Sequence, residues 1–247
     1  MTGTDNGVCS NCGGMTLMDK MTSAFKRTLR HAVERNSSII VSYREPCKAK
    51  LLGMVRETRK LIESQGDHML LLDNDAYQIC STAKVTEKVS GDIAEVGVYQ
   101  GGSALLLCKV KGGRTLHLFD RFEEGLPDTE DFGLSGGEYA ASFDKVKQML
   151  KGFKGVMFHR GLFPEETGKD VAHRKFAFVH IDVDIYTSTL NSLRFFYPRM
   201  SVGGIIISHD YPMLAGVKRA FDEFFEDKPE AVIELSGNQC MVVKVKA

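Results

Sequence analysis

Apolar residues along this chain follow two spacings, and the change between them falls near residue 91. Before it the spacing is helical. Over residues 20–35, Met21, Phe25, Leu29, Ala32 and Val33 recur every three or four positions, with Lys26, Arg27, Arg30 and Arg35 on the opposite, solvated side. Residues 49–65 repeat the pattern with Leu51, Leu52, Val55 and Ile62, and a shorter helical stretch is expected at 75–88. Residues 1–19 show no period and are rich in Gly, Thr, Asn and Ser, which reads as a flexible tail ahead of a helical cap at 20–90.

After residue 91 short apolar runs alternate with helical stripes. Strands are expected at 93–98, at 115–119 (closing on Asp120), at 155–158, at 176–181 (closing on Asp182) and at 202–207 (closing on His209 and Asp210). The intervening helices are marked by residues 104–110, by Tyr139, Phe143, Val146 and Leu150, by Leu190, Leu193, Phe196 and Tyr197 up to Pro198, and by Leu214, Val217, Phe221 and Phe224. Two last runs, 231–235 and 239–245, lie close enough to pair as an antiparallel hairpin. The pattern predicts an α/β domain over 91–247, with a mostly parallel seven-stranded sheet, helices on both faces and a C-terminal antiparallel hairpin.

Composition narrows the function. With 247 residues, 43% hydrophobic and 26% charged, the chain suits one α/β domain with a modest addition. Lys plus Arg (32) equals Asp plus Glu (32), so there is no electrostatic footprint for nucleic acid or an anionic membrane. No apolar run approaches the roughly 18 residues of a membrane span. The polar residues 1–11 lack a signal-peptide core, and the six sparse cysteines suit reduced thiols, so a cytoplasmic location is expected. Cys9 and Cys12 have zinc-knuckle spacing, but no second pair follows, and they read as incidental.

In an open parallel sheet, ligands bind beyond the carboxyl ends of the strands. The first strand runs into Glu95-Val96-Gly97-Val98-Tyr99-Gln100-Gly101-Gly102, a GxxxGG turn rather than the GxGxxG of dinucleotide binders. Its glycines allow close backbone approach, and the helix after it presents free N–H groups. Asp120 lies 23 positions after Gly97, placed to accept both ribose hydroxyls of a nucleoside-type cofactor. Glu95, inside an apolar strand, needs a partner, which a bound amino acid's ammonium would supply. His180 reads as a core histidine. Asp182 and Asp210 would face one crevice if their strands are adjacent, since neighbours lie about 4.8 Å apart. Two carboxylates suit Mg²⁺ or Mn²⁺, while His209 draws the preference towards softer cations. Asp184 reads as a cap for the helix entered through Thr187 and Ser188. The acidic loop 121–137 reads as a lid.

The segments EVGVYQGGS, DRFEEGLPD, HIDVDIYTST, FFYPRMSVGGIIISHDY and GVKRAFDEFF, in this order over about 60% of the chain, resemble the class I S-adenosylmethionine-dependent methyltransferases, and more narrowly the macrocin O-methyltransferase (TylF-like) family. The resemblance implies a Rossmann-like fold and methyl transfer to a hydroxyl of a sugar or other polyhydroxylated small molecule. It implies that Glu95, Gly97, Gly101 and Ser103 line the methionine end of the cofactor, that Asp120 holds the ribose with Arg121 and Phe122 beside it, and that Gly161 lies near the adenine. It also implies a divalent cation, Mg²⁺ by expectation, on Asp182, His209 and Asp210, although His209 stands where the family has an Asp. Asp182 and His209 are the candidate bases, His209 because its ordinary pKa of about 6.5 suits proton removal. The other readings are a nicotinamide-dependent oxidoreductase and a non-catalytic cofactor-binding module. The apolar N-terminal helices are consistent with a homo-oligomer as well as with packing on their own chain.

Overall fold

The computed structural model describes residues 46–131 and 133–246, with side chains from residue 49. The tail, the helix expected at 20–35 and the Cys9/Cys12 pair lie outside these residues. Helices α1 (Pro46–Ser64) and α2 (Asp73–Val85) come first, followed by β1 (Asp92–Val96), α3 (Gly102–Val110), β2 (Leu116–Asp120), α4 (Phe143–Leu150) and β3 (Val156–Arg160). The second half holds β4 (Phe176–Ile181), α5 (Tyr186–Phe196), β5 (Met200–His209), α6 (Ala215–Phe225), β6 (Ile233–Glu234) and β7 (Gln239–Val243). No described helix is long and apolar enough to cross a membrane.

The seven strands form one sheet in the order β3-β2-β1-β4-β5-β7-β6, parallel except for β7, which pairs antiparallel with both β5 and β6. Strand order reverses between β1 and β4, so the crevice at their carboxyl ends is the topological switch point. β4 is buried at every position, as expected of a central parallel strand covered on both faces. One core cluster packs α1, α2 and α3 against the sheet through Val55, Ile62, Ile79, Leu106 and Phe178. The other packs α5 and α6 through Phe196, Leu193, Val217 and Phe221. Cys80, Cys108 and Cys240 are buried free thiols.

Element ends differ from the sequence expectation where side chains redirect the backbone. β1 stops at Val96 because the next peptides turn away from the ladder, and the N–H groups of Val98 and Tyr99 donate to Asp120. α3 starts at Gly102, two residues early, since Gly101 takes the left-handed conformation (φ 82°) that launches it. Tyr139, expected on the helical stripe, precedes α4, which begins only after Ser142 accepts a hydrogen bond from the Lys145 N–H.

Candidate active site

A cavity of about 330 Å³ opens over the carboxyl ends of β1, β2, β4 and β5. Its floor is the Gly97 turn. Gly97 sits at φ 87°, and a Cβ there would lie 1.7 Å from the Asp182 carbonyl oxygen, so only glycine lets β1 and β4 close at this point. The Gly97 N–H donates to the Phe119 carbonyl and the Asp182 N–H to the Val96 carbonyl, which locks the three strand ends together.

Asp120 closes the turn from β2. Its Oδ2 accepts from Val98 N–H at 2.6 Å and Tyr99 N–H at 2.9 Å, and its Oδ1 accepts from Phe122 N–H. Burial pushes the carboxyl above the ordinary Asp range, and these backbone donors pull it back. Ser103, Arg121 and Gly161 also line the cavity. The Arg121 guanidinium turns into its own loop, donating to the Gly125 carbonyl and Glu124. Phe119 and Phe163, with ring centroids 4.4 Å apart, form an apolar wall.

Three expected site residues stand behind the lining. Glu95 is fully buried and pairs with His180, its register partner on β4, at 2.9 Å between Oε1 and Nδ1. Burial raises the Glu95 carboxyl, against the pull of His180 and Ser103. Gly101 packs beside Val146 and Met149, and Phe122 is buried edge-on against Phe143 at 5.0 Å.

Across the cavity, adjacent β4 and β5 bring the acids together. His209 Nδ1 lies 2.9 Å from Asp210 Oδ2 and 3.4 Å from Asp182 Oδ1. Donor atoms of Asp182, His209 and Asp210 lie within 4.8 Å of one another. Burial would depress the imidazole, but Asp182, Asp210 and Asp75 around it push its pKa up to about 12. Burial likewise works against ionised Asp182, yet the His209 charge holds its carboxyl below the ordinary value. Two carboxylates and one imidazole converging on one point suit a divalent cation, which would relieve the excess of negative charge.

Sequence reasoning missed three residues here. Asp184, read as a helix cap, caps nothing: the N–H of Tyr186 at the start of α5 is taken by Asp131 instead, at 2.7 Å. Asp184 lines the cavity at φ 61°, and burial together with Asp182 and Asp210 pushes it up to about 8. Tyr139 lines the opposite wall, edge-on to Tyr99 at 5.9 Å. Asp75 of α2, fully buried, faces His209 from behind, and a carboxylate on the Ala76–Ile79–Ala83 face of a helix was the signal that could have found it.

Residues 72–234 match the family model described as Macrocin-O-methyltransferase (TylF), which is more than half of the sequence. The chain belongs to the macrocin O-methyltransferase (TylF) family. Membership removes the nicotinamide reading and agrees with the GxxxGG turn. Among relatives of known name, demethyldecarbamoylnovobiocin O-methyltransferase of Streptomyces niveus is 29% identical over 164 residues, 59% of this chain and 62% of that protein. The 8-demethyl-8-(2,3-dimethoxy-alpha-L-rhamnosyl)-tetracenomycin-C 4'-O-methyltransferase of Streptomyces olivaceus is 28% identical over 156 residues, 56% of this chain and 59% of that protein. The matched region thus spans about three fifths of these curated relatives. The solved O-methyltransferase NovP superposes with a TM-score of 0.64 at 25% identity, covering 73% of this chain and 83% of that one.

Proposed function

We propose that this TylF-family protein transfers a methyl group from S-adenosylmethionine to a hydroxyl of a sugar or other polyhydroxylated small molecule, with a divalent cation on Asp182, His209 and Asp210. The observation that carries the reading is the convergence, in one cavity, of the Gly97–Asp120 turn with the acids that end β4 and β5. Two relatives that are O-methyltransferases by name, one of them acting on a rhamnosyl-tetracenomycin, support the acceptor class.

The Gly97 turn and Ser103 receive the methionine end of the donor, Asp120 with Arg121 the ribose, and Gly161 the adenine, against the wall of Phe119 and Phe163. Glu95, Gly101 and Phe122 hold that surface from behind. An aliphatic hydroxyl is a poor nucleophile, and a divalent cation held by Asp182, His209 and Asp210 would supply Lewis acidity to lower its pKa. Asp182 and Asp210 orient the acceptor on the β4–β5 side, and the leaving proton goes to a carboxylate. Asp184 is the best placed to take it: it lines the cavity and lies outside the donor trio. Neither His209 nitrogen is free for that task, since Nδ1 faces Asp182 and Asp210 and Nε2 faces Asp75. As the hydroxyl oxygen forms its bond to the methyl carbon, the sulfur–methyl bond breaks and S-adenosylhomocysteine leaves. Tyr139 and loop residues Gly125, Leu126 and Pro127 wall the acceptor side from water.

Calorimetric titration with S-adenosylhomocysteine tests the donor half: Asp120→Ala should weaken binding at least about tenfold, and an unchanged affinity overturns the site. Asp182→Ala should keep cofactor binding and lose turnover. Wild-type turnover by that variant after chelation would exclude cation assistance.

A further inference from the structure

The His209 imidazole has two nitrogens, and its surroundings treat them differently. Nδ1 faces the cavity acids, as described. Nε2 points away from the cavity and lies 3.7 Å from Asp75 Oδ2, with no hydrogen-bond partner among the described residues. Asp75 is 0% exposed, and neither of its carboxylate oxygens has a hydrogen-bond donor among the described residues. A buried carboxylate with no satisfied oxygen is costly, so its presence here calls for a reason.

The structure around Asp75 holds it in place. Asn74 Nδ2 and Gln78 Nε2, one residue before and three residues after Asp75 on α2, both donate to the Ser236 carbonyl, at 2.6 and 2.8 Å. They fix the β6–β7 turn over the carboxylate. In that turn Gly237 takes φ 112°, and a Cβ there would come within 2.1 Å of Asp75 Oδ1. The turn therefore needs glycine at this position to seal Asp75 against His209.

We infer that Asp75 is a positioning residue for the cation site: facing the Nε2 edge of His209, it holds the ring with Nδ1 turned to the space between Asp182 and Asp210, so that a cation seated there would meet one nitrogen and two carboxylate donors, a set that favours Mn²⁺-type cations over Mg²⁺. The inference rests on the cation reading above. A histidine that ligates through one nitrogen almost always donates its other N–H to a carboxylate, carbonyl or water, which fixes tautomer and ring orientation. Mg²⁺ prefers an all-oxygen set, whereas an imidazole donor shifts preference along the divalent series towards later metals. Asp75 explains what a lone histidine among acids does not, namely why the ring presents Nδ1.

The test is a Mn²⁺ titration of the full chain followed by electron paramagnetic resonance, with electron spin echo modulation to detect a coupled ¹⁴N nucleus. Wild type should bind Mn²⁺ with ¹⁴N modulation. Asp75→Asn should bind it about 10–100-fold more weakly, and His209→Asp should lose the modulation and raise Mg²⁺ affinity relative to Mn²⁺. A thermal melt of cation-free Asp75→Asn should show the variant fully folded at the temperature of the titration, and that readout separates weakened binding from unfolding. An Asp75→Asn affinity within about twofold of wild type overturns the role of Asp75 and leaves the cation reading standing; bound Mn²⁺ without ¹⁴N modulation in wild type overturns the role of Asp75 and removes His209 from the cation site, leaving the two carboxylates. Absence of any Mn²⁺ or Mg²⁺ binding by wild type overturns both.

Discussion

Four of the five described non-glycine residues with positive φ, namely Tyr99, Tyr139, Asp184 and Asp210, line the one cavity. Each such conformation costs on the order of 1–3 kcal/mol and persists only where the surroundings impose it. Here the constraint serves to aim side chains. Asp184 and Asp210 leave their strand ends at sharp angles, which turns both carboxylates into the same space as Asp182. Asn tolerates the left-handed region as Asp does, so Asp184→Asn removes proton-accepting capacity without disturbing the backbone. Its expected effect is a fall in turnover of about 10²–10⁴-fold with little change in S-adenosylhomocysteine affinity, measured by single-turnover methyl transfer beside calorimetry. Turnover close to wild type would assign the proton to another group.

Among the elements, the loop between β2 and α4 is tied down at several points rather than merely lying over the cavity. Leu126 N–H donates to the Glu138 carbonyl at 2.8 Å and Gly137 N–H to the Leu126 carbonyl at 2.9 Å, so the loop is pinched at its base. Farther along, Asp131 accepts from the first N–H of α5 and packs against Gly216 at the start of α6. The N-cap residue of α5, Ile185, has no side-chain oxygen to offer, and Asp131 supplies that bond from a distant part of the chain. Asp131→Ala should therefore cost about 1 kcal/mol in urea denaturation and raise the acceptor KM while leaving cofactor affinity in place. An unaltered KM would mean the loop does not shape the acceptor side.

The same loop shows where the sequence was legible. Strands β1, β2, β4 and β5 announced themselves as short apolar runs ending in Asp120, Asp182 and His209-Asp210, because a buried parallel strand needs apolar residues at nearly every position and its ligand-facing end does not. The hairpin followed from two apolar runs a few residues apart. What stayed hidden was long-range pairing. Asp184 beside Thr187 and Ser188 has the local look of a cap, and only the fold reveals that Asp131, more than fifty residues earlier, does the capping. Tyr139 fell on a helical spacing with Phe143 and Val146, but the Ser142 cap starts α4 after it.

At the scale of the molecule, two cores flank one sheet and leave its carboxyl edge as the place where buried polar chemistry gathers. The α1–α2–α3 side contributes Asp75, and the Gly97 turn follows β1 at the carboxyl edge of the sheet. The equal numbers of acidic and basic residues hide a local imbalance, since Asp75, Asp182, Asp184 and Asp210 surround one histidine. That concentration of negative charge shares its cavity with a turn built for close backbone approach, an arrangement suited to a positively charged sulfonium donor. The most direct measurement is a crystal structure of the protein soaked with S-adenosylhomocysteine and Mn²⁺. The ribose hydroxyls are expected on Asp120, the homocysteine end over Gly97 and Ser103 with its sulfur facing Asp182, and the cation among Asp182, His209 and Asp210. Density for the nucleoside outside this cavity, or for the sulfur on the far side of the turn from the acids, would contradict that placement.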